Sequence, residues 1–310
     1  LSYLLLRKYL RICTYIFEVW LQPQYMTVWS STIELAGSDP NWKENISTLL
    51  DEISWSTEIL PVVNKIRNSE RLDLKDGILL YNHLDIFELG LLATCSKKAR
   101  FGDKVFFNSN VHINQTNICV LACKFCAFSR SKRSKEAYSL TIENYIDELE
   151  KYSSVVDEVH SVGGLHPDWD VDYYCELFSS VKDRFPHISI KALTAVEIKH
   201  LSKISKISIE EVFSKLINAG LDSLPGGGAE ILNDDIRNII CYGKETSSEY
   251  IEIHRAAHMS GIPSNCTMLF GTIESLEDRL EHMFQIRSLA DEASMVQCFV
   301  PYPFLPDSTR

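Results

Sequence analysis

The sequence has no excess of positive charge, no long apolar run, no second pair of metal-type cysteines and no dinucleotide fingerprint. Each absence removes a class of function. Basic residues number 31 against 42 acidic ones, a net charge of -11. That balance offers no global positive field to a phosphate backbone or an anionic lipid surface, so neither a nucleic-acid nor a membrane partner is expected. The short run Arg130, Lys132, Arg133 and Lys135 reads as a solvated loop. The most apolar stretch, Leu1 to Leu21, is interrupted by Arg7, Lys8, Arg11 and Glu18 before about 18 apolar residues accumulate, and it reads as an amphipathic helix. Met26 is the first methionine, and the residues before it are expected to be an upstream translation or a fragment edge. The 9 cysteines are too few for a disulfide scaffold and odd in number, which fits a reducing, cytoplasmic compartment.

What is present is an α/β pattern. Residues 1–44 form an N-terminal extension, and residues 45–103 a helical lead-in, where apolar residues recur at helical spacing in Ile46, Leu49, Leu50, Ile53 and again in Ile86, Leu89, Leu91, Leu92. From residue 104 to 310 short apolar runs alternate with amphipathic stretches. The expected strands are Val111 to Ile118, Val156 to Val162, Ile188 to Leu193, Leu221 to Leu224, Asn265 to Leu269 and Met295 to Val300. The expected helices are Thr141 to Tyr152, Val171 to Phe185, Ser208 to Ala219, Ser247 to Met259 and Leu276 to Ala290. Thr141 and Ser208, each followed closely by acidic residues, have the character of helix N-caps. Six β/α units in succession imply a parallel sheet with right-handed crossovers, a closed or partly closed barrel whose chemistry sits just after the strands.

After the first expected strand comes Cys119-Val-Leu-Ala-Cys123-Lys-Phe-Cys126, three thiolate ligands within 8 residues. Thiolates select zinc or iron-sulfur centres over hard cations. A zinc site wants a fourth ligand, which His112 or Cys95 would supply only by coincidence of the fold, and a ferredoxin cluster wants a fourth cysteine at its own spacing. Three ligands for four irons leave one iron open to substrate. A zinc-stabilised interaction module, an iron-sulfur electron carrier and a substrate-binding cluster are the readings in contention.

The Cys-x3-Cys-x2-Cys spacing, with an aromatic residue before the last cysteine, resembles the radical S-adenosylmethionine (SAM) superfamily. That resemblance implies a TIM-type (β/α) barrel, a 4Fe-4S cluster on Cys119, Cys123 and Cys126, SAM as co-substrate, and Phe125 beside the adenine. Gly163 and Gly164 would hold the SAM amino group with backbone carbonyls, as glycine allows close backbone approach. Longer stretches narrow it. Asn114 to Cys119, Cys123 to Arg130, Val162-Gly-Gly-Leu-His-Pro167, Lys191 to Ile198 and Leu221 to Ile231 resemble the aminofutalosine synthases of menaquinone biosynthesis, from about residue 60 onward. Two sister families, the dehypoxanthine futalosine cyclases and the tyrosine-using FO synthase subunits, share the Pro-Gly-Gly-Gly-Ala-Glu segment. The Thr194-Ala-Val-Glu-Ile198 and Val-Gly-Gly-Leu-His-Pro runs look like the synthase.

The resemblance implies a carbon-carbon bond-forming transferase. The 5′-deoxyadenosyl radical adds to the enolpyruvyl double bond of 3-[(1-carboxyvinyl)oxy]benzoate; aryl migration and loss of the carboxylate as CO2 or bicarbonate give 6-amino-6-deoxyfutalosine and methionine. A flavodoxin or ferredoxin would supply the electron. Glu197 and Glu230, each beyond an expected strand, are assigned to the ribose hydroxyls or the SAM ammonium, or else begin helices. His166 is assigned to the substrate carboxylates or proton transfer, His112 to the interior, Arg130 to a carboxylate or solvent, and Gly226, Gly227 and Gly228 to a turn or the nucleoside. Three departures stand out: Thr272 where His is expected, Gln115 in place of Pro, and an end at Arg310, after the sixth unit of a family that continues through two more.

Overall fold

The computed structural model describes residues 38–293, 295–307 and 309. The helix read at Leu1 to Leu21 lies outside the described residues. Four helices come first: α1 (Trp42–Asp51), α2 (Leu60–Arg67), α3 (Leu74–Asn82) and α4 (Ile86–Phe101). Their boundaries follow from local chemistry. Pro61 sits in the first turn of α2, Asp73 and Asp76 form a capping box on α3, and Asp85 accepts the Phe87 and Glu88 amides at the start of α4. The inward faces make a core of their own, with Trp42, Ile46, Leu50, Val62, Leu80 and Leu92 buried together, and the Arg100 guanidinium lies 3.6 Å above the Trp42 ring.

The rest alternates strands and helices: β1 (Asn110–His112), α5 (Ile142–Glu150), β2 (Glu158–Ser161), α6 (Val171–Arg184), β3 (Ser189–Ala192), α7 (Ala195–Ser205), α8 (Ile209–Asn218), α9 (Asp234–Ile240), α10 (Ser247–Met259), β4 (Ser264–Phe270), α11 (Leu276–Ala293) and β5 (Val296–Pro303). Every strand pairing is parallel, in the orders β1-β2-β3 and β4-β5. The two sheets are joined through single parallel bridges, Lys191 to Ser223 and Leu224 to Ser264. The expected fourth strand, Leu221 to Leu224, is thus reduced to a hinge of two bridges, because Pro225 and the glycines after it end pairing almost at once. Five strands therefore stand where six were expected, and the ring is not closed among the described residues. The first strand is also shorter than expected: past Ile113 the Thr116 and Asn117 side chains take over backbone partners and turn the chain into a loop. Helix α7 follows the alternative reading of Glu197 as a helix start, with Thr194 and Glu197 as its capping box, while α9, capped by Asn233, has no counterpart among the expected helices.

Val159 and Ile190 point from the strands into one large core with Leu177, Phe178, Phe213 and Tyr250 of the helices. The lead-in is bound to this layer where α3 crosses α11. A β-carbon on Gly77 would lie 2.6 Å from Leu280 Cδ2, and Arg71 reaches Asp291 at 2.7 Å. No helix among the described residues is long and apolar enough to cross a membrane.

Candidate cluster and cofactor site

The loop after β1 is fastened at both ends by side chains that replace a strand ladder. Thr116 Oγ1 donates to Tyr138 O at 2.7 Å, Asn117 Nδ2 donates to Glu136 O at 2.9 Å, and Asn117 Oδ1 accepts the Tyr138 amide at 2.8 Å. Cys119 N donates to Arg130 O at 3.0 Å and Arg130 N to Asn117 O at 2.7 Å, closing the loop's neck. Arg130, assigned to a carboxylate or solvent, clamps this neck: it pairs with Glu136 at 2.6 Å and donates to Ala127 O at 2.7 Å.

Within the loop Cys123 is buried, and Cys119 and Cys126 are half-buried. Two of the sulfurs accept backbone amides, Cys119 from Leu121 at 3.4 Å and Cys126 from Ser129 at 3.3 Å, which orients them within the loop. None of the described cysteines is in a disulfide. Among the described residues no group of three or more His, Cys, Asp or Glu side chains is placed to hold a single metal ion. A cluster of four irons takes each thiolate at a different iron, and Cys119, Cys123 and Cys126, one buried and two half-buried on the same loop, would supply three of them.

Gly163 and Gly164 sit directly against this loop. Gly164 N donates to Thr116 O at 2.9 Å, and a β-carbon at Gly164 would lie 2.2 Å from Ile118 O and 3.0 Å from Cys119 Cβ. Only glycine permits that approach. Gly163 N donates to Glu197 Oε1 at 2.9 Å. Glu197 is fully used: Oε1 also accepts Gln115 Nε2 at 3.4 Å, and Oε2 accepts the Thr194 amide and hydroxyl, both at 2.7 Å. Four donors fill its lone pairs, so it begins α7 and positions the glycines, with no acceptor capacity left for a ribose. Burial pushes its carboxyl above the usual range against these hydrogen bonds.

Glu230 is built differently. It adopts φ 47, its carbonyl accepts the Leu269 amide at 2.8 Å, and its carboxylate pairs with Lys244 Nζ at 2.5 Å. Burial pulls the Lys244 ammonium down, but Glu230, Glu245 and Cys123 outweigh it and the pKa ends above the ordinary lysine value. Lys244 lies 5.7 Å from the centre of the Phe125 ring, so cation, aromatic and Cys123 form one group. Burial pushes the Cys123 thiol up to about 12, with Lys244 opposing. The turn Pro225 to Gly228 is held from behind: Gly226 O accepts Tyr250 Oη at 3.0 Å and Thr267 Oγ1 at 2.6 Å, and Gly228 O accepts Arg237 Nη1 at 3.1 Å.

His166 is 7% exposed, stacked on Trp169 at 4.2 Å, and its Nδ1 accepts the Asp168 amide at 3.2 Å. Burial lowers its pKa, so the neutral ring presents Nε2-H. His112 is exposed at the free edge of β1 rather than an interior side chain, because no strand covers that edge among the described residues. Gln115, where Pro was expected, is a buried hub that accepts Ser161 Oγ at 2.9 Å and donates to Tyr174 Oη at 3.2 Å. Thr272 bonds Glu274 locally at 2.8 Å. The geometry thus gathers Cys119, Cys123, Cys126, Phe125, Gly163, Gly164 and Glu230 around one loop, with Glu197 behind the glycines. Sequence reasoning missed Lys244; its one signal was a lysine between a cysteine and a glutamate in Cys241-Tyr-Gly-Lys-Glu245.

Residues 113–286 match the radical SAM superfamily. The chain belongs to that family. Its members carry a 4Fe-4S cluster and use SAM. This radical SAM chain is similar to aminodeoxyfutalosine synthase of Thermus thermophilus, 39% identical over 253 residues that cover 81% of this chain and 68% of that protein. It is also similar to a 5-amino-6-(D-ribitylamino)uracil--L-tyrosine 4-hydroxyphenyl transferase of Methanosarcina barkeri, 40% identical over 233 residues, covering 75% of this chain and 61% of that protein. The chain therefore spans about two thirds of the length of these relatives. Among solved structures, methylornithine synthase shares the fold at a TM-score of 0.64 and 17% identity, covering 79% of this chain and 68% of that one.

Proposed function

We propose that this enzyme is an aminofutalosine synthase, joining the adenosyl group of SAM to 3-[(1-carboxyvinyl)oxy]benzoate in menaquinone biosynthesis, with a flavodoxin or ferredoxin as electron donor. One observation carries the choice among sister activities. The two segments that look like the synthase, Val162 to Pro167 and Thr194 to Ile198, meet in a single hydrogen bond, Gly163 N to Glu197 Oε1 at 2.9 Å. They therefore shape the same wall of the cofactor site.

In this reading Cys119, Cys123 and Cys126 hold the cluster, which with SAM supplies a 5′-deoxyadenosyl radical. Gly163 and Gly164 let the backbone approach the SAM amino group, and Glu197 fixes their position. Phe125 offers a face to the adenine. The Lys244 and Glu230 pair would offer one cationic and one anionic partner to the carboxylate and ammonium of SAM. His166 keeps Nε2-H toward the substrate as a donor. The protein's contribution is orientation and exclusion of water around a reactive intermediate.

The test is an anaerobic assay of cluster-reconstituted protein with SAM, a strong reductant and the enolpyruvyl benzoate, products being read by mass spectrometry. Aminofutalosine carrying the adenosyl carbons is expected. Its absence, with product appearing instead from tyrosine and 5-amino-6-(D-ribitylamino)uracil, would transfer the assignment to the family of the Methanosarcina relative.

A further inference from the structure

The sheet β1-β2-β3 has two unlike faces. Val111, Val159 and Ile190 are Cα partners on the face packed by helices, so side-chain alternation turns the next register row, His112, His160 and Lys191, to the opposite face. That row is polar throughout. The His112 and His160 rings lie 4.3 Å apart, and Lys191 pairs with Glu158 at 2.9 Å, both side chains about one-tenth exposed. Glu158 spends its second oxygen on Asn108 Nδ2 at 2.8 Å.

Folding does not require this row. A buried ion pair recovers its desolvation cost only with good geometry and further hydrogen bonds, and apolar residues of similar size would serve the sheet as well. Yet its donors are underused. The Lys191 ammonium has three N-H groups and Glu158 takes one; the ring nitrogens of His112 and His160 have no hydrogen-bond partner among the described residues. With Glu158 already satisfied, what the row offers a ligand is one cation and two imidazoles. The complementary group is a carboxylate.

Position sets the ligand's length. His160 lies three residues before Gly163, a rise of roughly 10 Å along a strand. A carboxylate held at His160 and Lys191 would leave one aromatic ring and a meta substituent to reach the level of Gly163 and Gly164. We propose that Lys191, His160 and His112 form a subsite for the ring carboxylate of an aryl carboxylic acid, anchoring it with its reactive end at the glycine pair. The choice of an aryl carboxylate rests on the synthase reading.

The probe pair is 3-ethoxybenzoate and 3-ethoxybenzamide, titrated calorimetrically into the cluster-reconstituted full chain. The variants are the double substitution Lys191→Met with Glu158→Gln, which leaves no orphan charge, and Lys191→Arg. Wild type is expected to prefer the benzoate over the amide by at least about tenfold, the double variant to lose that preference, and Lys191→Arg to keep most of it. Iron and sulfide content and melting temperature report folding; if the double variant fails them, His160→Gln, with an expected severalfold loss of benzoate affinity, takes its place. Equal benzoate binding by wild type and a folded variant would overturn the subsite, as would a wild type that does not distinguish benzoate from amide. The mass-spectrometric assay judges the synthase reading separately. Product formed with an unchanged KM in the variant removes the subsite and leaves the synthase, whereas no product from wild type removes the synthase while the titration still decides the subsite.

Discussion

Two sets of buried polar groups share the strand layer, and they are satisfied in different ways. Toward the helices, His254 and His258 both reach the Ser264 hydroxyl, at 2.8 and 2.9 Å, while His282 accepts the Leu232 amide at 3.1 Å and donates to Thr267 O at 2.9 Å. Burial drives these rings to the neutral form, with pKa values of about 3, 4 and 3. At the mouth, Lys244 and Glu230 are held as a close pair, and among the described residues one of the three lysine donors is taken. The helix-facing histidines are neutral rings, two of which share one hydroxyl and leave His254 Nε2 and His258 Nδ1 without a partner among the described residues, whereas the mouth holds a charged pair.

Acid should separate the two regions most strongly. The three histidines have folded pKa values below the unfolded 6.5, so their stabilisation is complete above about pH 6.5 and is lost as pH falls toward 4 and 3, each contributing roughly 1.4 kcal/mol per pH unit within its window. Equilibrium urea unfolding at stepped pH should show stability declining from pH 6 to 4, and His258→Gln should flatten the decline; a pH-independent midpoint would contradict the contrast.

Lys244→Met attacks the mouth. It strands a buried Glu230 carboxylate, for an expected loss of about 3–5 kcal/mol in denaturant unfolding, and adding Glu230→Gln should recover most of it. A smaller effect is expected at the wall. Glu197→Gln keeps the shape but turns a donor toward the Thr194 amide, at a cost of about 1–3 kcal/mol, and should loosen Gly163 enough to lower iron content after reconstitution. Equal losses from the Lys244 and Glu197 substitutions would mean that the mouth and the wall are held with the same strength.

The parts legible in the sequence are those set by short-range rules. The helix caps at Thr141 and Ser208 depend on a few adjacent residues and are where those residues imply, and the cysteine run and the Gly-Gly pair, equally local patterns, follow β1 and β2. The unreadable parts depend on distant partners. Locally only the Thr194-x-x-Glu197 capping box separates Glu197 from Glu230; the partners that decide their roles, Gln115 and Gly163 on one side and Lys244 on the other, come from elsewhere in the fold. The short fourth strand and the exposed edge at His112 are likewise decided by what neighbours do or do not supply.

The crossing of α3 and α11 carries a consequence for how the chain is made. Arg71 finds Asp291 only after 220 further residues have been added. At about 5–20 residues per second, the lead-in helices leave the ribosome tens of seconds before their partner exists. Their private core around Trp42 lets them wait folded with little apolar surface uncovered until α11 emerges and docks on α3.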